Sequence, residues 1–233
     1  MTWVTFPATP WWFVAVVAVA GGLVGEVLRR RVATGGYRLD DETGPLPRVH
    51  PAWLPVVLAG LWGLLAWRFG PLSSWALSPA YLGFAFVALA LAWIDADVHR
   101  LPRGLTRPAY PMLVAQLALA SLASGDWDAL RRAAVAGVAL WGVFLVLAVI
   151  AALLGSGFGL GDVTLAGLVG LASGYIGTST TFVAAYAAFL LAGAYGLVRL
   201  VLRRGTRKDD IAFGPWMLLG LLIALVVQVR PLF

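Results

Sequence analysis

Two carboxylates stand where an apolar chain can least accommodate them. Asp95 lies at the end of a long uncharged stretch and opens the segment IDADVHRLP (94–102), and Asp162 follows a glycine-rich turn in GFGLGDVTL (157–165). An ionisable side chain at the edge of a membrane span is expensive to keep there and marks a functional site by default. Two carboxylates brought together share one proton, so that one serves as base and the other as acid. That suffices to activate a water for hydrolysis without a metal or a thiol. Gly155, Gly157, Gly159 and Gly161 precede Asp162, and glycines at such a turn let another chain approach where a Cβ would block it. The turn is suited to presenting Asp162 to an extended peptide.

The other candidates read more simply. Asp97 lies two residues beyond Asp95, about 3 Å further along a helix, and is expected to be solvated or paired with Arg100. Asp126 and Asp128, beside Arg131 and Arg132, read as surface charge. His99 reads most simply as an interfacial residue near lipid headgroups, the alternative being a contact with substrate. Glu26, within one turn of Arg29 and Arg30, is either a helical ion pair or a contact for a positively charged peptide segment. The chain has no cysteine, which excludes disulfides, thiolate zinc sites and cysteine nucleophiles. Its two histidines, His50 and His99, are too few for most imidazole-based metal sites. No metal and no cofactor is expected.

The elements that must position the two aspartates follow from composition. Of 233 residues, 61% are hydrophobic and 12% charged, with a mean hydropathy of +0.88, whereas a soluble domain carries about 25% charged residues. The fold class is therefore all-α, a polytopic helical bundle in the lipid bilayer. Against the roughly 20 residues needed to cross the hydrocarbon core, eight spans are expected at about 11–28, 52–67, 75–94, 108–124, 133–154, 163–176, 180–202 and 213–229. The sixth is short. The net charge of +6 and pI near 10.3 do not point to nucleic acid, because the bases form short clusters between apolar runs. With the N-terminus and the C-terminus outside, 13 of the 17 basic residues fall in inner loops, leaving Arg68, Arg131, Arg132 and Arg230 outside, as the positive-inside rule requires. A re-entrant sixth segment would move Arg203 to Lys208 outside and break that rule. No Lys or Arg precedes the first apolar run and three arginines follow it, so this segment is expected to remain as the first helix. Both aspartates then lie at the cytoplasmic face. Trp11, Trp12, Trp53, Trp67 and Trp75 fit an interfacial aromatic belt, and Gly137, Gly167, Gly170 and Gly174 fit close helix packing.

At these motifs the chain resembles the prepilin peptidase family, membrane aspartyl proteases of the GxGD type that remove the leader of type IV pilins and related proteins. IDADVHRLP, with Asp95 seven positions before Pro102, is similar to the family's first motif. Gly159, Leu160, Gly161 and Asp162 match its glycine-any-glycine-aspartate motif, and AFGPWMLLG (212–220) is similar to the stretch that opens its last helix. The resemblance covers about 75–229 within a single integral-membrane domain, 1–233. It implies Asp95 and Asp162 as catalytic residues and Gly159, Gly161, Leu101, Pro102, Gly214 and Pro215 as residues that position motif and substrate. Glu26 is implied as a contact for the basic leader. The partners implied are prepilins or pseudopilins, cleaved at the cytoplasmic face of the cell membrane. Two departures stand out. Thr164 occupies the position where relatives usually carry Lys, and Arg103 follows LP where they often carry an acid. The loop at 29–51 is short and lacks the paired C-x-x-C motifs of the insert that many bacterial relatives associate with N-methylation, so the resemblance implies cutting alone, without S-adenosylmethionine.

Two other classes compete. Membrane carboxylates also serve proton-coupled transporters, whose broken helices a glycine-rich interruption resembles, although no inverted repeat shows in the span lengths and both aspartates sit at one face. An inactive peptidase-like scaffold is the third reading, suggested by Thr164.

Overall fold

The computed structural model describes residues 9–39, 51–70, 76–154, 159–202 and 212–227. Among these, the chain forms eight α-helices: α1 (Trp11–Ala33), α2 (Leu54–Phe69), α3 (Ser78–Val98), α4 (Arg103–Ser124), α5 (Trp127–Leu153), α6 (Leu160–Ile176), α7 (Thr178–Val201) and α8 (Gly214–Val227). Each corresponds to one of the eight apolar stretches, and the described chain is an all-helical membrane bundle. Among the described residues, five segments are long and apolar enough to cross a bilayer: α1, residues 51–69 including α2, α3, α5 and α7. The helices α6 and α8 are apolar but shorter, and α4 carries Arg103, Arg107 and two internal prolines.

Helix ends depart from the hydropathy boundaries for local reasons. Arg29, Arg30 and Arg31, expected in a loop, continue α1, where positive side chains complement the negative end of the helix dipole. α4 starts directly after Pro102, ahead of the expected 108, and tolerates Pro108 and Pro111 inside it, as membrane helices do when neighbours re-satisfy the backbone. α5 starts at Trp127 because Asp126 caps it, its side chain accepting the Ala129 N–H at 2.9 Å. Asp126 and Asp128 also pair with Arg132 and Arg131, at 3.8 and 3.2 Å. The clusters at Arg48–His50 and Arg203–Lys208, with Arg230, lie outside the described residues.

The chain divides into two compact units, Met1–Ala90 and Leu91–Phe233, the division falling within α3. In the first unit, α1 and α2 pack through glycines. A Cβ on Gly21 would lie 2.8 Å from the Trp62 Cβ, and one on Gly25 would lie 2.7 Å from the Pro55 Cα. Small residues allow this close approach, which drives membrane helix association through packing. The Trp62 indole donates to the Leu82 carbonyl at 3.1 Å, and Phe69 stacks on Tyr81 with ring centroids 4.6 Å apart.

The second unit is organised around α6, which touches α4, α5, α7 and α8. From Leu165 to Tyr175 every residue of α6 is buried, the pattern of a helix apolar all round and enclosed by protein. At 17 residues it is about 25 Å long, short of the ~30 Å hydrocarbon thickness. Gly170 and Gly174 contact Ala136 so closely that neither site has room for a Cβ, and one on Gly137 would lie 2.9 Å from the Leu171 Cγ. Gly220 likewise meets Ala184 and Ala188, which binds α8 to α7. The expected packing role of Gly137, Gly170 and Gly174 is what the structure shows. Outward faces of α1, α5 and α7 carry large apolar side chains such as Leu23, Val138 and Phe182, suited to lipid.

Candidate active site

Asp95 lies three residues before the end of α3, inside the helix, and is 4% exposed. A carboxylate at a helix C-terminus meets the negative end of the dipole, so it needs a donor from elsewhere. The backbone N–H of Gly214, the first residue of α8, donates to Asp95 Oδ2 at 3.1 Å. The first N–H groups of a helix have no intrahelical partner, and Asp95 satisfies one of them at the positive end of α8. Only glycine fits: a Cβ on Gly214 would lie 2.7 Å from the same oxygen. Phe213 anchors the approach, its ring packed against Phe189 and Phe144 at centroid distances of 5.3 and 5.8 Å. Pro215 follows at the second position of α8, where a missing N–H costs nothing.

Asp162 lies in the first turn of α6, its N–H donating to the Gly159 carbonyl at 3.0 Å, and is half-buried. Here the helix dipole favours a negative charge. Just before it, Gly161 packs on Leu101 of the LP pair so closely that a Cβ on Gly161 would lie 3.0 Å from the Leu101 Cβ. Leu101 is buried and Pro102 caps the start of α4 in an extended conformation. Two residues beyond Asp162, the Tyr110 hydroxyl of α4 donates to the Thr164 carbonyl at 2.7 Å. Gly167 leaves room for that phenol, whose oxygen a Cβ would overlap. Thr164 spends its own hydroxyl on the Leu160 carbonyl, at 3.1 Å, and brings no charge to the site.

Asp95 and Asp162 line one cavity of about 770 Å³. Its wall also includes Gly159, Gly161 and Leu101 from the two motifs, Thr106 and Thr164, the apolar Trp141 and Leu145, and the basic side chains His99, Arg100, Arg103 and Arg107. Thus the structure gathers Asp95, Asp162, Gly159, Gly161 and Leu101 at one site, with Gly214 bonded to Asp95. Asp97 is not part of this lining. Gly155 and Gly157 lie outside the described residues. Glu26 belongs to the first unit, where Arg29 binds both its carboxylate oxygens at 2.6 Å and Arg30 adds a bond at 2.9 Å. It forms the helical ion pair that its spacing allows. No cluster of three metal-ligating side chains occurs among the described residues. Sequence reasoning misses Phe213 and Tyr110, and the aromatic next to Gly214 is the available signal for the first.

Two carboxylates thus line one cavity, each beside a helix N-terminus. The type IV leader peptidase family model matches residues 82–197. The chain belongs to that family. The match spans both aspartates, the LP pair and the GxGD glycines, and ends before Gly214 and Pro215. No curated protein and no solved structure matched the chain. Family membership and five long apolar helices make this a multi-pass membrane peptidase.

Proposed function

We propose that this leader peptidase is an aspartyl endopeptidase that removes the N-terminal leader of type IV prepilin-like or pseudopilin substrates at the cytoplasmic face of the cell membrane. The whole chain acts as one peptidase domain, with both termini outside. The observation that carries the proposal is the common cavity of Asp95 and Asp162, with Asp95 bonded to the Gly214 N–H. The ionised aspartate takes a proton from water as the oxygen attacks the scissile carbonyl, and its protonated partner donates to the carbonyl oxygen. Collapse of the tetrahedral intermediate returns a proton to the departing amine, and the pair again holds one proton. Their titration belongs to the pair, so the roles are assigned to the two together. No metal or cofactor takes part in this scheme, and the product leaves unmethylated.

Charge along the cavity constrains how the substrate lies. Arg103 and Arg107 are both exposed on the first two turns of α4, so a basic leader is repelled from that rim and runs away from it. Gly159 and Gly161 receive the extended segment across the scissile bond.

Purified protein reconstituted with a coexpressed prepilin tests the proposal, with cleavage read by mass spectrometry. The expected products are an intact leader and a pilin with a free, unmethylated N-terminus, and Asp95→Asn and Asp162→Asn each abolish them while remaining in the membrane. A wild type that cuts no prepilin from its own genome supports the scaffold reading instead.

A further inference from the structure

His99 lines the cavity and has no place in the scheme above. Among the described residues, His99 is the single non-glycine residue with a positive φ, at 51°. It closes α3 in the left-handed conformation, its N–H donating to the Asp95 carbonyl at 2.9 Å. That is the bond of a helix-ending αL motif, whose usual occupant is glycine because a Cβ is disfavoured there. The turn itself therefore does not call for histidine. No described residue hydrogen-bonds the imidazole, which is exposed and lines the cavity with both aspartates. Its position is tightly held. Four residues before it Asp95 is bonded to Gly214, and two residues after it Leu101 is buried against Gly161.

We propose that His99 is a substrate-contacting residue, its imidazole delivered into the cavity by the left-handed turn to hydrogen-bond the peptide backbone beside the scissile bond. A ring with one donor and one acceptor nitrogen suits an extended peptide, which offers alternating N–H and C=O groups. Placement one helical turn beyond Asp95, in the same cavity, sets the contact near the reacting carbonyl. The proposal rests on the cavity being the peptide site.

Steady-state cleavage of a peptide spanning a prepilin leader junction separates ring from turn. His99→Gly keeps the left-handed turn and removes the ring, and is expected to raise KM about tenfold with kcat within about twofold, the loss of one or two hydrogen bonds. His99→Asn tolerates the turn and restores a donor and an acceptor, and is expected to recover most of the KM. A His99→Gly enzyme with wild-type KM overturns the proposal, leaving the residue as a helix cap; so does a loss confined to kcat. In parallel, fluorescence anisotropy follows the labelled peptide binding to Asp162→Asn protein with and without His99→Gly. Weaker binding with the second change upholds the contact even where cleavage fails. A protein that neither cuts nor binds the peptide removes the contact together with the peptidase reading.

Discussion

Asp95 and Asp162 reach the same cavity from opposite settings. Asp95 comes from the C-terminal turn of α3, is buried, and is tied to the first N–H of α8, just after Phe213, which packs against Phe144 and Phe189. Asp162 comes from the N-terminal turn of α6, is half-buried, and follows the exposed Gly159. One carboxylate is held by a distant segment of chain, the other by its own helix and by two supports at its flanks, Leu101 beneath Gly161 and Tyr110 on Thr164. The difference teaches that the three motifs have different duties. The FGP segment serves Asp95, and the LP pair serves Asp162, although LP lies in the same motif as Asp95.

Substitutions that strike one support at a time break or sharpen this contrast. Gly214→Val puts a branched side chain against Asp95 Oδ2 and should lower kcat about 10²-fold or more, as misplacement of a reacting group by about 1 Å does; an active Gly214→Val enzyme would show that Asp95 needs no such hold. Gly161→Ala places a methyl group 3.0 Å from the Leu101 Cβ, a conflict of a few tenths of an ångström, and should cost about tenfold in kcat. The combination with Leu101→Ala should recover part of that loss, since the room is restored. Tyr110→Phe removes one hydrogen bond near Asp162 and should slow cleavage about fivefold, near the ~1 kcal/mol typical of one such bond, with thermal melting of the detergent-solubilised protein little changed. Smallest of all, Glu26→Gln should change the kcat/KM for a basic leader less than about twofold, because Arg29 and Arg30 already occupy the carboxylate and pairs of this exposure contribute little. A tenfold drop there would make Glu26 the leader contact after all.

Much of this architecture is legible in the chain, and the exceptions have physical causes. Long apolar runs mark helices whatever surrounds them, so all eight appear at their places. Hydropathy misjudges the ends, because charged residues such as Arg29–Arg31 extend a helix that composition alone would stop. Asp126 is exposed and paired with Arg132 as its neighbours suggest, and just ahead of an apolar run it also carries a readable cap signal. Crossing a bilayer is a harder question than being a helix: α6 is short because protein, more than lipid, surrounds it. The aspartates and their glycines are visible from type and spacing. The bond from Gly214 to Asp95 is not, since it joins residues 119 positions apart and depends on where α8 begins. His99 is visible by type, but its left-handed backbone is a property of the fold around it and leaves no trace in the sequence.

The central claim is that Asp95 and Asp162 act as one catalytic unit. Single-turnover cleavage of a prepilin by Asp95→Asn, Asp162→Asn and the double variant tests it most directly. Groups that work as a unit show grossly non-additive losses, so the double variant should be no slower than either single one, each reduced about 10³-fold or more. Losses that multiply, or a single variant that still cuts at near wild-type rate, would contradict the account.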